Sequence, residues 1–307
     1  MIIITGQTAT GKTKLALELA KKYNGELISA DSRQIYKYLD IVTGKDTNPN
    51  SKVKSQKSKV KFKSQNYQIG YYLLDNIRLW GLDLIEPDQA FSSSQFVSYV
   101  NYLLSNLIPK GKPVIIVGGT YLYIKHLLYG IETEGIKPDW QLRNSLNQLS
   151  VNQLQSVLQK KGPKIFKQMN RSDQNNPHRL IRKIEILNST SIPGLMLRLR
   201  KSRDWKIEKF IGLQYSSKDL LHQNILTRVQ KRINQGAVDE TKKLLKMGYK
   251  ITDPGLNSIG YQQIINYING NISERKMIDL WVTAEVQYAK RQYTFMKKDK
   301  NIEWKEI

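Results

Sequence analysis

The chain has no cysteine, which excludes disulfides and thiolate zinc sites, and its three histidines, His126, His178 and His222, are too scattered for a histidine metal cage. Acidic residues are scarce as well: 26 Asp and Glu stand against 49 Lys and Arg in 307 residues, leaving a formal charge of +23. So large a surplus of one sign calls for a polyanionic partner, nucleic acid first. Long apolar runs are missing. Stretches such as Val114 to Val117 fall far short of the roughly 18 residues of a membrane span, so no membrane association is expected. Met1-Ile-Ile-Ile-Thr5 carries no charged leader and is too short for a secretory core, which points to a cytoplasmic protein.

The length suits about two domains. The chain opens as a strand, a glycine loop and a helix: Ile2 to Ile4, then Gly6 to Thr13, then Leu15, Ala16, Leu19, Ala20 and Tyr23 at helical spacing. A second strand, Glu26 to Ala30, ends at Asp31-Ser32, and a third, Pro113 to Val117, ends at Gly118-Gly119-Thr120 before another helix. Short apolar strands alternating with helices predict an α/β fold with a parallel sheet covered on both faces. Between these strands, residues 51–63 nearly alternate lysine with Val53, Val60 and Phe62, as a basic hairpin or a flexible arm would. From about Pro138 to Asn188 the composition is helical and polar, with Leu142, Leu146 and Leu149 marking a helix face. The sheet is expected to resume at Trp205 to Gly212, followed by helical stretches from Lys218 to Met247 and through Met277, Trp281, Ala284 and Tyr288. The predicted organisation is a core of 1–137 and 189–307, carrying a basic insertion near 49–78, and a helical insertion of 138–188.

Gly6-Gln-Thr-Ala-Thr-Gly11-Lys12-Thr13 matches the phosphate-loop pattern directly after a strand and at the start of a helix, the context that pattern requires. Successive backbone N–H groups and the helix N-terminus cradle a di- or triphosphate, Lys12 neutralises it, and the Thr13 hydroxyl suits Mg²⁺. A loop of this kind does not say which phosphate compound binds or whether it is split. An NTPase normally adds an acid at the end of another apolar strand. Here Val117 is followed by two glycines and a threonine. The acid at such a place is Asp31, which suits three roles: a Mg²⁺ carboxylate, a helix N-cap, or a base facing the ligand of the loop.

Together several segments resemble the tRNA dimethylallyltransferase, or tRNA isopentenyltransferase, family: the phosphate loop, Ile28-Ser-Ala-Asp-Ser-Arg-Gln-Ile-Tyr-Lys37, Leu39-Asp40-Ile41, Val117-Gly-Gly-Thr-Tyr-Leu-Tyr123, Asn176-Pro-His-Arg-Leu-Ile-Arg182, Gly260-Tyr261 and Ala289-Lys-Arg-Gln-Tyr-Thr294. The resemblance implies a P-loop core with a helical insertion domain and C-terminal helices. It also implies transfer of a dimethylallyl group from dimethylallyl diphosphate to N6 of adenosine 37, beside the anticodon of tRNA, with Mg²⁺ and a monomeric enzyme. In that reading Gly6, Gln7, Thr8, Ala9, Thr10, Gly11, Lys12, Thr13 and Arg232 hold the diphosphate, with Thr13 also on the metal. Asp31, Thr13 and Arg232 are catalytic. Asp31, Ser32, Arg33, Gln34, Thr120, Arg143, His178, Arg179 and Arg182 meet the tRNA.

Some residues depart from the family pattern: Gln7 and Thr10 for the usual proline and serine, Val42 and Gly44 within the usual Gly-Thr-Ala-Lys, Asp46 for proline, Gln262 for a basic residue and Phe295 for tryptophan. Three rival readings are a small-molecule kinase that uses Lys12 and Asp31 on ATP and Mg²⁺, a non-catalytic RNA-binding protein, and a transferase for free adenosine nucleotide. The missing acid after Val117 counts against the first, and +23 of charge against the last.

Overall fold

The computed structural model describes residues 1–45, 54–62, 65–131, 136, 138–189 and 206–307. The chain divides into two compact units, residues 1–127 with 204–307, and residues 128–203.

The first unit is built on an eight-stranded sheet. Its strands are β1 (Ile2–Gly6), β2 (Glu26–Ser29), β3 (Lys54–Phe62), β4 (Gln65–Leu74), β5 (Ile77–Trp80), β6 (Val114–Val117), β7 (Lys209–Gln214) and β8 (Glu303–Glu306), in the order β3-β4-β5-β2-β6-β1-β7-β8. From β5 to β8 every neighbouring pair is parallel, whereas β3 and β4 add antiparallel strands at one edge. The β-branched run Ile2-Ile3-Ile4 is buried along its whole length, as a strand covered on both faces must be. Helix α1 (Lys12–Tyr23) lays Ala16 and Ala20 against Ile2, Ile4, Leu27 and Ile115.

In this order β1, β6 and β2 lie side by side and run the same way. Their carboxyl ends therefore bring the loop after β1, the Gly118-Gly119 pair after β6 and Asp31 after β2 to one edge of the sheet, where an open α/β sheet binds its ligand. Helix α2 (Ser93–Tyr102) is closed by a capping box of Ser92 and Gln95. It lies between β5 and β6, and α3 (Tyr121–Tyr129) follows β6.

The second unit is helical: α4 (Trp140–Leu146), α5 (Val151–Lys161), α6 (Pro163–Gln168), α7 (Arg171–Gln174) and α8 (Pro177–Asn188). Leu146, Leu154, Leu158, Leu180, Ile181 and Ile184 form its core. Leu142 and Leu149 pack on that core too, but α4 ends before Leu149, which reaches the core from the turn beyond.

The expected helical stretch from Lys218 to Met247 is two helices, α9 (Lys218–Asn234) and α10 (Ala237–Lys246). Gly236 breaks it at φ 98°, a conformation that other residues rarely adopt. Helices α11 (Tyr261–Ile268) and α12 (Glu274–Met296) follow. In the lysine-rich segment, Lys54 to Phe62 pairs antiparallel with Gln65 to Tyr71, while residues 51–53 and 63 lie outside the described residues, as do Asp46 and Trp205. The strand expected to begin at Trp205 runs from Lys209 to Gln214. No helix among the described residues is long and apolar enough to cross a membrane.

Candidate active site

The loop after β1 is shaped by three left-handed or glycine-only positions. Gly6 has φ 138°, and a Cβ there would stand 2.1 Å from the Leu213 carbonyl oxygen, so only glycine fits beside β7. Ala9 (φ 62°) and Gly11 (φ 76°) turn the backbone, and Gly11 caps α1 without offering a side chain to its first N–H groups. Donors left so by a helix N-terminus suit an anion.

Hydrogen bonds fix this shape before any ligand arrives. The Gln7 side chain, where the resemblance leads one to expect proline, accepts from the Tyr215 N–H at 3.0 Å. The Tyr215 hydroxyl donates to the Ala9 carbonyl at 2.5 Å, and Thr10 Oγ1 donates to the Gln7 carbonyl at 2.8 Å. Gln292 of α12 links two strand ends: its Oε1 accepts from Thr8 N at 2.9 Å, and its Nε2 donates to the Gly119 carbonyl at 3.0 Å. A Cβ on Gly119 would lie 2.4 Å from that same amide, and one on Gly118 would lie 2.2 Å from the Ala30 carbonyl oxygen. Close approach of backbones and of Gln292 is therefore why β6 ends in two glycines.

Three cations converge on the loop. Lys12 donates to the Gln7 carbonyl; loss of water pushes its ammonium down to about 7, the nearby Arg228 adds to that, and Asp31 partly opposes it. Arg228 donates from Nη1 to Thr8 Oγ1 at 2.6 Å. Arg232, one turn further along α9, is buried and donates from Nη1 to Glu285 Oε1 at 2.6 Å.

Asp31 is half-buried, and its Oδ1 accepts from the N–H of Arg33 at 2.8 Å. A turn follows it, not a helix, which corrects the N-cap role. Ser32 N donates to Thr120 Oγ1 at 2.9 Å, so the ends of β2 and β6 are bonded directly. Gln34 donates to the Gly44 carbonyl at 2.9 Å, and Arg33 donates to the Pro254 carbonyl at 2.8 Å. Tyr288 of α12 shares the cleft; burial, then the charge of Asp31, pushes its phenol up to about 12, so it stays a hydrogen-bond donor near neutral pH.

The far wall is the turn from Asp40 to Lys45. Glu240 of α10 accepts from three consecutive N–H groups, those of Asp40, Ile41 and Val42, at 2.9, 2.7 and 3.2 Å, and from the Tyr261 hydroxyl at 2.6 Å. Lys45 is buried and donates to the Tyr36 carbonyl at 2.6 Å, to Asp40 Oδ1 at 2.7 Å and to Asp83. The cleft, open on one side, has a volume of about 1310 Å³ and gathers Thr8 to Thr13, Asp31, Gln34, Gly118, Gly119, Arg228 and Arg232.

The expected RNA-facing residues of the helical unit are placed differently from one another. Glu185 is buried and accepts from Arg143 Nε and Nη2 at 2.8 and 2.7 Å, and from Arg182. Burial alone would raise the Glu185 carboxyl, but the two arginines outweigh it and hold the group below its usual range. Arg143 thus ties α4 to α8, while Arg182 pairs with Glu185 within α8 and donates to the Ile136 carbonyl at 3.1 Å. His178 and Arg179 are exposed in the first turn of α8, with Arg179 paired to Asp173.

No local sequence signal marks Glu240 or Glu285, whereas Gln292 lies within Ala289-Lys-Arg-Gln-Tyr-Thr294. Among the described residues no group of three or more His, Asp or Glu is placed to hold a metal ion.

Two family models match the chain: "IPP transferase" over residues 34–299 and "Isopentenyl transferase" over residues 1–60. The chain is 34% identical over 305 residues to a tRNA dimethylallyltransferase of Endomicrobium trichonymphae, covering 99% of this chain and 94% of that one. It is 33% identical over 306 residues to the tRNA dimethylallyltransferase of Acetivibrio thermocellus, covering 99% and 90%. Among solved structures, the tRNA isopentenylpyrophosphate transferase of Bacillus halodurans superposes with a TM-score of 0.65 at 29% identity, over 99% of this chain and 89% of that one.

Proposed function

The chain belongs to the IPP transferase family, and from that membership we propose that it transfers a dimethylallyl group from dimethylallyl diphosphate to N6 of adenosine 37 in tRNA, releasing diphosphate. One observation carries this reading beyond the family match. A phosphate loop faces Asp31 across a cleft whose third strand end, Gly118-Gly119, carries no acid. A kinase would want that acid for its nucleotide and metal. A diphosphate leaving group needs cations and N–H donors, and a nearby base for the attacking amine.

In the reaction the C–O bond of the donor breaks as N6 bonds to the allyl carbon, so positive charge develops on carbon and negative charge on diphosphate. Preorganised donors aimed at the developing charge do most to lower such a barrier. The loop N–H groups, Lys12, Arg228 and Arg232 supply them here. Asp31 takes the proton that N6 loses, which leaves the product amine neutral.

Mg²⁺ takes hard oxygen ligands, keeps several waters and often binds through one or two protein groups plus substrate phosphates. Thr13 and Asp31 offer oxygens of that kind within the cleft, so the residues present fit the ion without a carboxylate cage. When bound it neutralises charge on the diphosphate.

For the RNA side, Ser32, Arg33, Gln34 and Thr120 line or adjoin the place of the target adenosine, and His178 and Arg179 are exposed for contact with an anticodon stem-loop. Arg143 and Arg182, partly exposed and oriented by Glu185, complete that RNA-facing set. The test is mass spectrometry of nucleosides from unmodified tRNA incubated with the protein, Mg²⁺ and dimethylallyl diphosphate. A dimethylallyl adenosine product is expected. Rapid ATP hydrolysis without allyl transfer would restore the kinase reading.

A further inference from the structure

Behind the cleft lies a carboxylate that the chemistry above does not use. Glu285 sits in the middle of α12, 6% exposed, and it does not line the cleft; Arg232, 5% exposed, does. Glu285 Oε1 accepts from Arg232 Nη1 at 2.6 Å and from Trp281 Nε1 at 3.0 Å, while its Oε2 is buried with no hydrogen-bond partner. The contact is therefore not the two-oxygen fork that makes an arginine–carboxylate pair strongest.

Stability alone is a poor reason for such a pair. Desolvating two ions costs much of what their attraction returns, and well-packed apolar residues usually do as well. The neighbourhood of Arg232 supplies another reason. A Cβ built on Gly44 would fall 2.5 Å from Arg232 Nη2 and 2.8 Å from Arg228 Nη2, so the two guanidiniums converge on one point of the cleft wall. Lys12 is close enough to Arg228 for their charges to interact. Three cations this close repel one another, and Arg228 is tethered by Thr8. Glu285 sets a negative charge against Arg232 that offsets this repulsion while no anion is bound.

We propose that Glu285, oriented by Trp281, is a positioning residue that holds Arg232 in register with the phosphate loop, so that the diphosphate meets a preset pair of guanidiniums. This rests on the reading of the cleft as a diphosphate site. Preorganisation matters because a misplacement of about 1 Å at a reacting centre can cost on the order of 10²-fold in rate.

The test is a cycle of Glu285→Gln, Arg232→Ala and the double variant in the full-length protein. Folding is checked by thermal melting, and Glu285→Asp serves as the milder variant that keeps the charge but draws it back by one methylene. Two readouts are taken: calorimetric binding of inorganic diphosphate, and single-turnover allyl transfer at saturating tRNA. Glu285→Gln is expected to weaken diphosphate binding and slow transfer by roughly 10–100-fold with little change in tRNA KM, Glu285→Asp by less. The double variant should be no worse than Arg232→Ala alone, because a positioning residue acts only through its partner. Additive losses, or a folded Glu285→Gln or Glu285→Asp protein that binds diphosphate like wild type, would overturn the proposal. Coupling in diphosphate binding without any allyl transfer by wild type would keep Glu285 in this role and remove the transferase reading instead.

Discussion

Arg228 donates to the Thr8 hydroxyl at 2.6 Å, and that bond plants a second cation at the mouth of the phosphate loop beside Lys12. Burial first, and Arg228 second, bring the Lys12 ammonium down to about 7 in the empty site. A bound diphosphate reverses the balance by pairing with the charged form, which raises the Lys12 pKa again. Above pH 7 the empty site is therefore short of a proton that the complex holds. Binding should take up most of one proton at about pH 8 and almost none at about pH 6, and affinity should fall as pH rises through 7. Calorimetry of inorganic diphosphate in two buffers of different ionisation enthalpy measures the uptake. Lys12→Arg, which stays charged, corrects for the protons of diphosphate itself. Equal uptake by wild type and variant would mean that Lys12 is already charged when the site is empty.

Asp31→Asn keeps the side chain's size and its hydrogen bond from the Arg33 N–H, since Oδ1 remains an acceptor. What it removes is the negative charge and the capacity to take a proton. Turnover is expected to fall by roughly 10²–10⁴-fold, the usual worth of a general base, with tRNA affinity nearly unchanged. Single-turnover rates and filter binding separate the two. If the rate stays within threefold of wild type, the carboxylate only shapes the Ser32–Gln34 turn.

Gly44 tests the arginine pair from the other side. It stands where relatives are expected to have alanine, and its φ of 65° adds backbone strain to any substitution. A new methyl would press on two guanidinium ends, which are flexible in principle but are held here by Glu285 and Thr8. Gly44→Ala should therefore weaken diphosphate binding about tenfold, beyond the ~1 kcal/mol that the left-handed backbone costs in stability. Gly111→Ala is the control, with φ 82° and no atom within 4 Å of its added Cβ. A melting temperature lowered equally in both, with diphosphate affinity intact, would show that the methyl at 44 is accommodated.

What could be read from the sequence follows from how local each signal is. The phosphate loop, the glycine pair after β6 and the acid after β2 announce themselves within a few residues, because strand ends and tight turns restrict which residue types fit. The parallel sheet was equally legible, since strands buried on both faces must be apolar throughout. Glu240 and Glu285 gave no such signal. Each is one acid on an amphipathic helix, and the groups they serve lie some 200 residues away in the turn at 40–42 and 53 residues away at Arg232. Arg143 and Arg182 show the converse: basic residues expected to face RNA whose guanidiniums also pair with a buried glutamate that spacing does not reveal. The break at Gly236 was visible only as a glycine within a good helical pattern, where its positive φ could not be inferred.

The lysines of β3 remain to be tested, and the fold sharpens the question. Lys54, Lys57, Lys59 and Lys61 lie on the outermost strand of the sheet, where charged side chains protect unpaired backbone groups from pairing with a second chain. A run this rich in lysine suits contact with successive phosphates as well. Replacing Lys52, Lys54, Lys57, Lys59, Lys61 and Lys63 with glutamine separates these roles. If the strand meets RNA, binding should weaken alike across tRNAs, and the slope of log K against log salt should flatten by roughly 0.7–0.9 for each phosphate that is no longer neutralised. Allyl transfer at saturating tRNA should persist, because none of the six belongs to the segments expected to carry the chemistry. If edge protection is their work, the salt slope stays put while light scattering shows concentration-dependent self-association. We expect the flattened slope: a formal charge of +23 exceeds what one diphosphate in the cleft calls for, and a polyanionic substrate is the partner that gives the surplus a use.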